Sequence, residues 1–255
     1  MFHAGRINRK YLASPTVMIL ELEISKSLQT FLPGQWVDFV IEKHEWTGGF
    51  SIASSPNDLP KMTLAVKKSK AKPSDWIHHG KDSIPGTPLK IKVGGNCFLD
   101  PTDDDKPAVF CAGGIGISPV LANYREYLRR RENTKQQMYP KTMFLYSVTT
   151  QDELVFGKEL LELYHKQEGK YQDEMVLTLT KGTQWMPLEE EIFGRDKDSI
   201  RIEQRLGRYL KEFLDSAPRE SIFYICGPPA MNDEAVSILQ QRDIPTDNIR
   251  YEKWW

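Results

Sequence analysis

Apolar and polar positions change period once along the 255-residue chain, near residue 105. Before that point short runs alternate apolar with polar residues, the pattern of strands with one buried face. It predicts strands at Ile7–Ala13, Val17–Ile24, Trp36–Glu42, Phe50–Ser54, Met62–Lys68 and Leu89–Val93. Pro33-Gly34, Gly48-Gly49, Ser55-Pro56-Asn57-Asp58 and Pro85-Gly86 separate them, and a short helix is expected over Ser74–His79. Six strands at this spacing fit a small closed antiparallel β-barrel, since closure removes exposed edges. Beyond the acidic linker Asp100–Asp105, apolar runs alternate with segments of helical period. Strands are expected at Val109–Ala112, Met143–Val148, Met175–Thr180, Ile222–Cys226 and Ile249–Glu252, with helices near Pro119–Arg131, Glu153–Lys166, Ile202–Leu214 and Ala230–Arg242. Such alternation means a Rossmann-like five-stranded parallel sheet covered on both faces. The expected fold is two domains, a β-barrel over 1–105 and an α/β domain over 106–255.

Two turns of the second half point to a ligand. The first strand runs into Gly113-Gly114-Ile115-Gly116-Ile117-Ser118-Pro119, where Ser118 and Pro119 are residue types of a helix N-cap and first turn. A glycine turn between strand and helix aims backbone N–H groups and a positive helix end at whatever rests on it, and phosphate is the natural occupant. The spacing is not G-x-G-x-x-G. A second such turn, Gly227-Pro228-Pro229, follows the buried run Ser221–Cys226 and precedes a helical pattern containing Met231. Both turns fall at the carboxyl ends of strands, the edge where open parallel sheets bind ligands.

Composition narrows the classes. Net charge is −1 with no long basic block, which gives no sign of nucleic acid; Arg129-Arg130-Arg131 reads as a solvated helix end. Three cysteines without paired spacing argue for a reducing compartment and against a disulfide or zinc scaffold, so no metal site is expected. His78 and His79 are read as packing or surface residues. No run approaches the ~18 apolar residues of a membrane span, and a soluble protein is expected. From Met1 to Leu20 there are cations and no acid, the bias of a transit peptide, yet the segment is β-like and reads as mature structure.

A barrel followed by a nucleotide fold with G-G-x-G-I-S-P on one turn and C-G-P-P-x-M on another resembles the ferredoxin–NADP⁺ reductase superfamily, over essentially the whole chain. Within it, Gly48-Gly49-Phe50-Ser51-Ile52-Ala53-Ser54-Ser55-Pro56 and the ending Tyr251-Glu252-Lys253-Trp254-Trp255 are similar to a mitochondrial, oxidoreductase NAD-binding domain-containing type. The resemblance implies FAD on the barrel, held through a segment that reads R-x-Y-S-x-x-S in relatives. It gives Phe50, Ser51, Ile52 and Ser54 flavin-contacting places, with Ser51 near the atom that receives hydride. Gly48 stands where relatives carry an arginine for the flavin pyrophosphate. Lys67 or Lys68 is the substitute cation, weak FAD binding is one expectation, and Gly48→Arg is expected to tighten it. Ala65, Val66 and Lys67 match the strand beside the cofactor. Ser74 either rests against pyrophosphate or caps its own helix.

The same resemblance puts Trp254 and Trp255 over the flavin and near adenine; alternatively they plug the domain interface. It makes Ser51, Cys226 and Glu252 catalytic, with Cys226 near the reacting nicotinamide carbon, although Cys226 also suits a small buried strand end and Glu252 a solvated one. For the dinucleotide it implies Gly113, Gly114, Ile115, Gly116, Ile117 and Ser118 on pyrophosphate, and Cys226, Gly227, Pro228 and Met231 near the nicotinamide. Thr149 lies on an arginine-free strand end that leans to NAD, while Lys181, in a Thr180-Lys181 pair, keeps NADP open. The expected function is a flavin-dependent NAD(P)H oxidoreductase passing electrons to a separate, unidentified acceptor. The alternative is a nucleotide-binding module or assembly factor that has lost tight FAD.

Overall fold

The computed structural model describes residues 1–103, 106–133, 142–167, 173–181, 200–202, 206–215 and 217–253, so the readings of Trp254 and Trp255 lie outside the described residues. Strands β1 (His3–Ser14), β2 (Val17–Ile24), β3 (Trp36–Ile41), β4 (Trp46–Ser51), β5 (Lys61–Lys67) and β6 (Pro88–Gly94) form one antiparallel sheet in the order β4-β3-β6-β1-β2-β5. Its outer strands close on each other. Ile52, just past β4, bridges Leu64 of β5, and the Ala53 amide donates to the Thr63 carbonyl at 2.8 Å. Alternate residues such as Leu20, Leu22, Val37, Phe39, Leu64, Val66, Leu89 and Ile91 fill the interior, and Trp76 and Ile77 of α1 (Lys72–His79) join that core.

Strand β2 explains how the two halves meet. Its inward residues are apolar throughout, but its other face runs Val17, Ile19, Glu21, Glu23. Val17 and Ile19 pack with Ala65 against Val155, Ile115 and Phe156 of the second half, whereas Glu21 and Glu23 face solvent-side arginines. The change from aliphatic to acidic marks where the cover ends, since an uncovered apolar face costs about 25 cal/mol per Å² left in water.

The second half is a wholly parallel sheet, ordered β10-β9-β8-β7-β11-β12, from β7 (Ala108–Gly113), β8 (Met143–Val148), β9 (Glu174–Leu179), β10 (Ile200–Ile202), β11 (Ile222–Cys226) and β12 (Ile249–Glu252). The five expected strands are joined by the three-residue β10 on the edge, within a stretch whose start at Ile202 was expected to be helical. Helices α2 (Ile117–Asn133) and α3 (Gly157–His165) cover one face; α4 (Leu206–Leu214) and α5 (Pro229–Gln240) cover the other. From β7 the chain winds outward through β8 to β10, then returns to the opposite side of β7 for β11. The switch point therefore lies at the carboxyl ends of β7 and β11, where both glycine turns sit.

Local differences have local causes. Gly48 and Gly49 do not break a strand; they lie inside β4, paired with Phe39 and Asp38. Helix α2 begins at Ile117 rather than Pro119, because a 3₁₀ turn over Gly114–Gly116 starts the coil early. The third helix begins at Gly157 rather than Glu153, after Phe156 adopts a left-handed conformation with φ of 60°. No helix among the described residues is long and apolar enough to cross a membrane.

Candidate functional site

The two turns are in backbone contact. A Cβ added at Gly116 would overlap the carbonyl of Cys226, and one at Gly113 would overlap the Met231 thioether and come within 2.8 Å of Pro228. Those glycines exist so that the turns can touch. Gly114 differs: its φ is 51° and nothing lies within 4 Å of where its Cβ would be. Open space beside a left-handed glycine, at the start of a 17-residue helix, is a cradle where backbone N–H groups can meet an anion. Ser118, on the first turn of α2, is 1% exposed and its Oγ has no partner. It does not act as an N-cap. A buried hydroxyl left without a hydrogen bond is costly unless something outside the chain supplies one.

Opposite the cradle stands the barrel, and between them runs a cleft of about 490 Å³. Phe50, Ser51, Ala65, Lys67 and Ser74 line its barrel side, with Gly48, Ser69 and Pro73; Gly113, Gly114, Ile115, Gly116, Ser118, Cys226, Gly227 and Pro228 line its sheet side. Segments up to about 180 residues apart in sequence thus meet at one seam. Phe50 is half-buried, its ring edge-on to Phe39 at 5.7 Å. Ile52, Val66 and Ile117 lie on the same segments, but their side chains are buried in the cores, which leaves only their backbone for a ligand. Ser54 is buried and its Oγ accepts from the Thr63 amide at 3.0 Å.

Two readings of charge on the barrel side change, those of Lys67 and Gly48. Lys67 is not a spare cation, for its Nζ meets Glu153 at 3.2 Å across the seam. Lys68 is exposed and its amide donates to the Thr16 carbonyl at 2.7 Å. Gly48 is closed to a side chain, since a Cβ there would lie 2.8 Å from Pro73 Cβ and 3.1 Å from the Phe50 ring. Ser74 is not an N-cap either. Helix α1 starts at Lys72 with Ala71 at its cap, and the Ser74 hydroxyl donates to the Lys67 carbonyl at 2.8 Å and accepts from the Ser69 amide at 3.0 Å.

Cys226, at the edge of the cleft, pairs in register with Glu252 of β12, which does not itself line the cleft. Burial pushes the Glu252 carboxyl up to about 7, only partly opposed by donation from the Asn96 and Cys97 amides and the Trp36 side chain; its Oε2 has no hydrogen bond. Glu252 is therefore no solvated strand end. Burial likewise raises the thiol of Cys97, whose Sγ lies 3.4 Å from the Arg250 carbonyl. Met231 packs on Gly113 and Gly227, not on open cleft. Thr149 and Lys181 sit together at the ends of β8 and β9, where the Lys181 amide donates to the Thr149 carbonyl at 2.9 Å.

Sequence reading missed the side chains that hold the seam. Asn123 is fully buried on α2; its Oδ1 accepts from Leu99 at 2.9 Å and its Nδ2 donates to Cys97 at 3.1 Å, which fixes the linker. A polar residue inside the apolar stripe of Val120, Tyr124 and Tyr127 was the available signal. Among the described residues no group of His, Cys, Asp and Glu is arranged to hold a metal.

A family model described as the oxidoreductase NAD-binding domain matches residues 110–237, half of the chain and all of the switch-point turns. The chain belongs to the oxidoreductase NAD-binding domain family. Within this family it is similar to oxidoreductase NAD-binding domain-containing protein 1 of Bos taurus, 36% identical over 251 residues that cover 95% of this chain and 77% of that one. The Homo sapiens protein of that name is 34% identical over the same share of this chain and 76% of its own length. Among solved structures, the ferredoxin reductase of carbazole 1,9a-dioxygenase superposes with a TM-score of 0.76 at 19% identity, covering all of this chain and 70% of that one. A ferredoxin NADP⁺ reductase from Neisseria gonorrhoeae gives 0.74 at 17%, covering 98% of both chains. The oxidoreductase NAD-binding domain here is thus joined to a barrel in the two-domain ferredoxin reductase fold.

Proposed function

We propose that the protein is a flavin-dependent NAD(P)H oxidoreductase, with an FAD barrel over residues 1–105, a dinucleotide domain over 106–255, and a separate electron acceptor. The observation that carries this reading is convergence: Phe50 and Ser51 of the flavin-type segment and both glycine turns border one cleft. The solved ferredoxin NADP⁺ reductase of the same fold is described with bound FAD and NADP, which supports the cofactor class. FAD accepts two electrons as hydride and can release them singly, the chemistry that a nicotinamide reductase needs.

The chain's own residues do the rest. Gly114 and the first turn of α2 would hold pyrophosphate on backbone N–H groups, and the unpartnered Ser118 hydroxyl would donate to it. Phe50 would offer ring surface to the flavin, and Ser51 a hydroxyl at the cleft wall. Cys226 ends the strand on the nicotinamide side, and Glu252 beside it, poised near neutrality, can hold or give up a proton away from bulk water. The arginine-free end of β8 favours NAD over NADP. The family resemblance read from the sequence motifs makes mitochondria the proposed compartment.

A second reading keeps the dinucleotide but lacks tight FAD, and Pro73 packed where an arginine at 48 would pass favours it. The visible spectrum of purified protein titrated with FAD separates the two. Flavin absorbance that NADH bleaches faster than NADPH supports the oxidoreductase with NAD preference. Absence of flavin uptake at any concentration supports the second reading and overturns the first.

A further inference from the structure

Resting on the flavin reading of the cleft, we infer that Arg125 is a positioning residue that sets the offset between the flavin segment and the dinucleotide turn. Arg125 lies on α2, seven residues past Ser118, about 10 Å along a helix that rises 1.5 Å per residue. Its guanidinium grips Glu159 of α3 in bidentate fashion, with Nε and Nη2 each 2.6 Å from a carboxylate oxygen. The remaining nitrogen, Nη1, donates across the seam to the carbonyl of Ala53. Below it lies the Phe156 ring, with the guanidinium carbon 5.9 Å from its centroid, and Phe156 itself packs on the barrel. Ala53 follows Ser51 by two residues, and its own amide is fixed to β5.

One rigid helix thus carries the phosphate cradle on its first turn and a fork two turns on that grips the segment bearing Ser51. Glu159 locks the fork, so each nitrogen of one planar group donates in a fixed direction. Hydride transfer depends on reacting atoms held near contact distance, and a displacement of about 1 Å costs on the order of 100-fold. Lysine can reach one of these acceptors but cannot span both.

Arg125→Ala, Arg125→Lys and Glu159→Gln test this by two independent measurements. In flavin-free protein, hydrogen exchange at the amides of Ile52, Ala53 and Ser54 is expected to quicken roughly tenfold in Arg125→Ala and less in the other two. In flavin-loaded protein, kcat for flavin reduction by NADH is expected to fall about 10- to 100-fold in Arg125→Ala, with dissociation constants for FAD and for NADH within about twofold of the parent. Unchanged exchange overturns the inference, as does a rate loss that merely follows lost binding. If the parent takes up no flavin, the flavin reading fails, and the exchange measurement alone then decides the role of Arg125: faster exchange supports it and unchanged exchange overturns it.

Discussion

Glu252→Gln tests the part-buried carboxyl paired with Cys226 most directly. The amide matches the protonated acid in shape; its Oε1 keeps the acceptor facing the Asn96 and Cys97 amides and Trp36, and its NH₂ falls where Oε2 has no partner. The folded carboxyl titrates at about 7 against an ordinary 4.5, with burial as the main cause. Below 4.5 both folded and unfolded states are protonated and folding carries no penalty. Between 4.5 and 7 the unfolded chain binds fewer protons than the folded one, so stability falls as pH rises through that window. At about 1.4 kcal/mol per unit the full separation would be worth roughly 3 kcal/mol, and partial exposure reduces this to on the order of 1–2 kcal/mol. Urea denaturation of parent and variant at pH 5, 6, 7 and 8 reads the difference. The gap should be about a quarter of its full size at pH 5, and the variant more stable by about 1–2 kcal/mol at pH 8. A gap that is the same at every pH would refute the argument, because it would come from packing rather than from the proton.

Three further substitutions test the cradle and the barrel wall. Gly114→Ala forces a left-handed residue at a cost of about 1 kcal/mol but meets no neighbour. Its melting temperature should drop by a few degrees, while NADH affinity, read by fluorescence titration, falls at least tenfold as the methyl enters the phosphate space. Ser118→Ala removes a buried hydroxyl without a partner. Calorimetry of ligand-free protein should show unchanged or higher stability, with NADH binding weaker by roughly five- to tenfold, about 1 kcal/mol. Gly48→Arg must displace Pro73 or Phe50. It should lower the melting temperature and loosen FAD in a flavin fluorescence titration, the reverse of what the motif alone suggests.

Periodicity made most of the architecture legible. Alternation in stretches such as Trp36–Ile41 and the apolar runs Ala108–Gly113 and Ile222–Cys226 gave the strands, because half-buried and doubly buried strands leave different sequence patterns. Glycine misled where its reason was crowding: Gly48 and Gly49 read as a break, yet the strand is unbroken and Gly48 leaves room for Phe50 and Pro73. Ser118 and Pro119 read as a cap, but the 3₁₀ turn before them satisfied the helix start. The role of Arg125 was invisible for a different reason. Its acceptor at Ala53 is 72 residues away, and on the helix alone it resembles any solvated cation. Charge assignments failed likewise, since only the fold brings Glu153 to Lys67.

The aliphatic contact of Val17 and Ile19 with Val155 and Phe156 also governs how the protein should respond to ionic strength. Dissolved ions weaken attraction between surface charges but leave hydrocarbon contact intact or strengthen it. The Lys67–Glu153 pair also crosses the seam, but a partly exposed pair is worth little, so the two halves should stay together across a wide range of buffers. A turnover rate that varies steeply with added potassium chloride would then report on encounters with outside molecules, not on the protein opening.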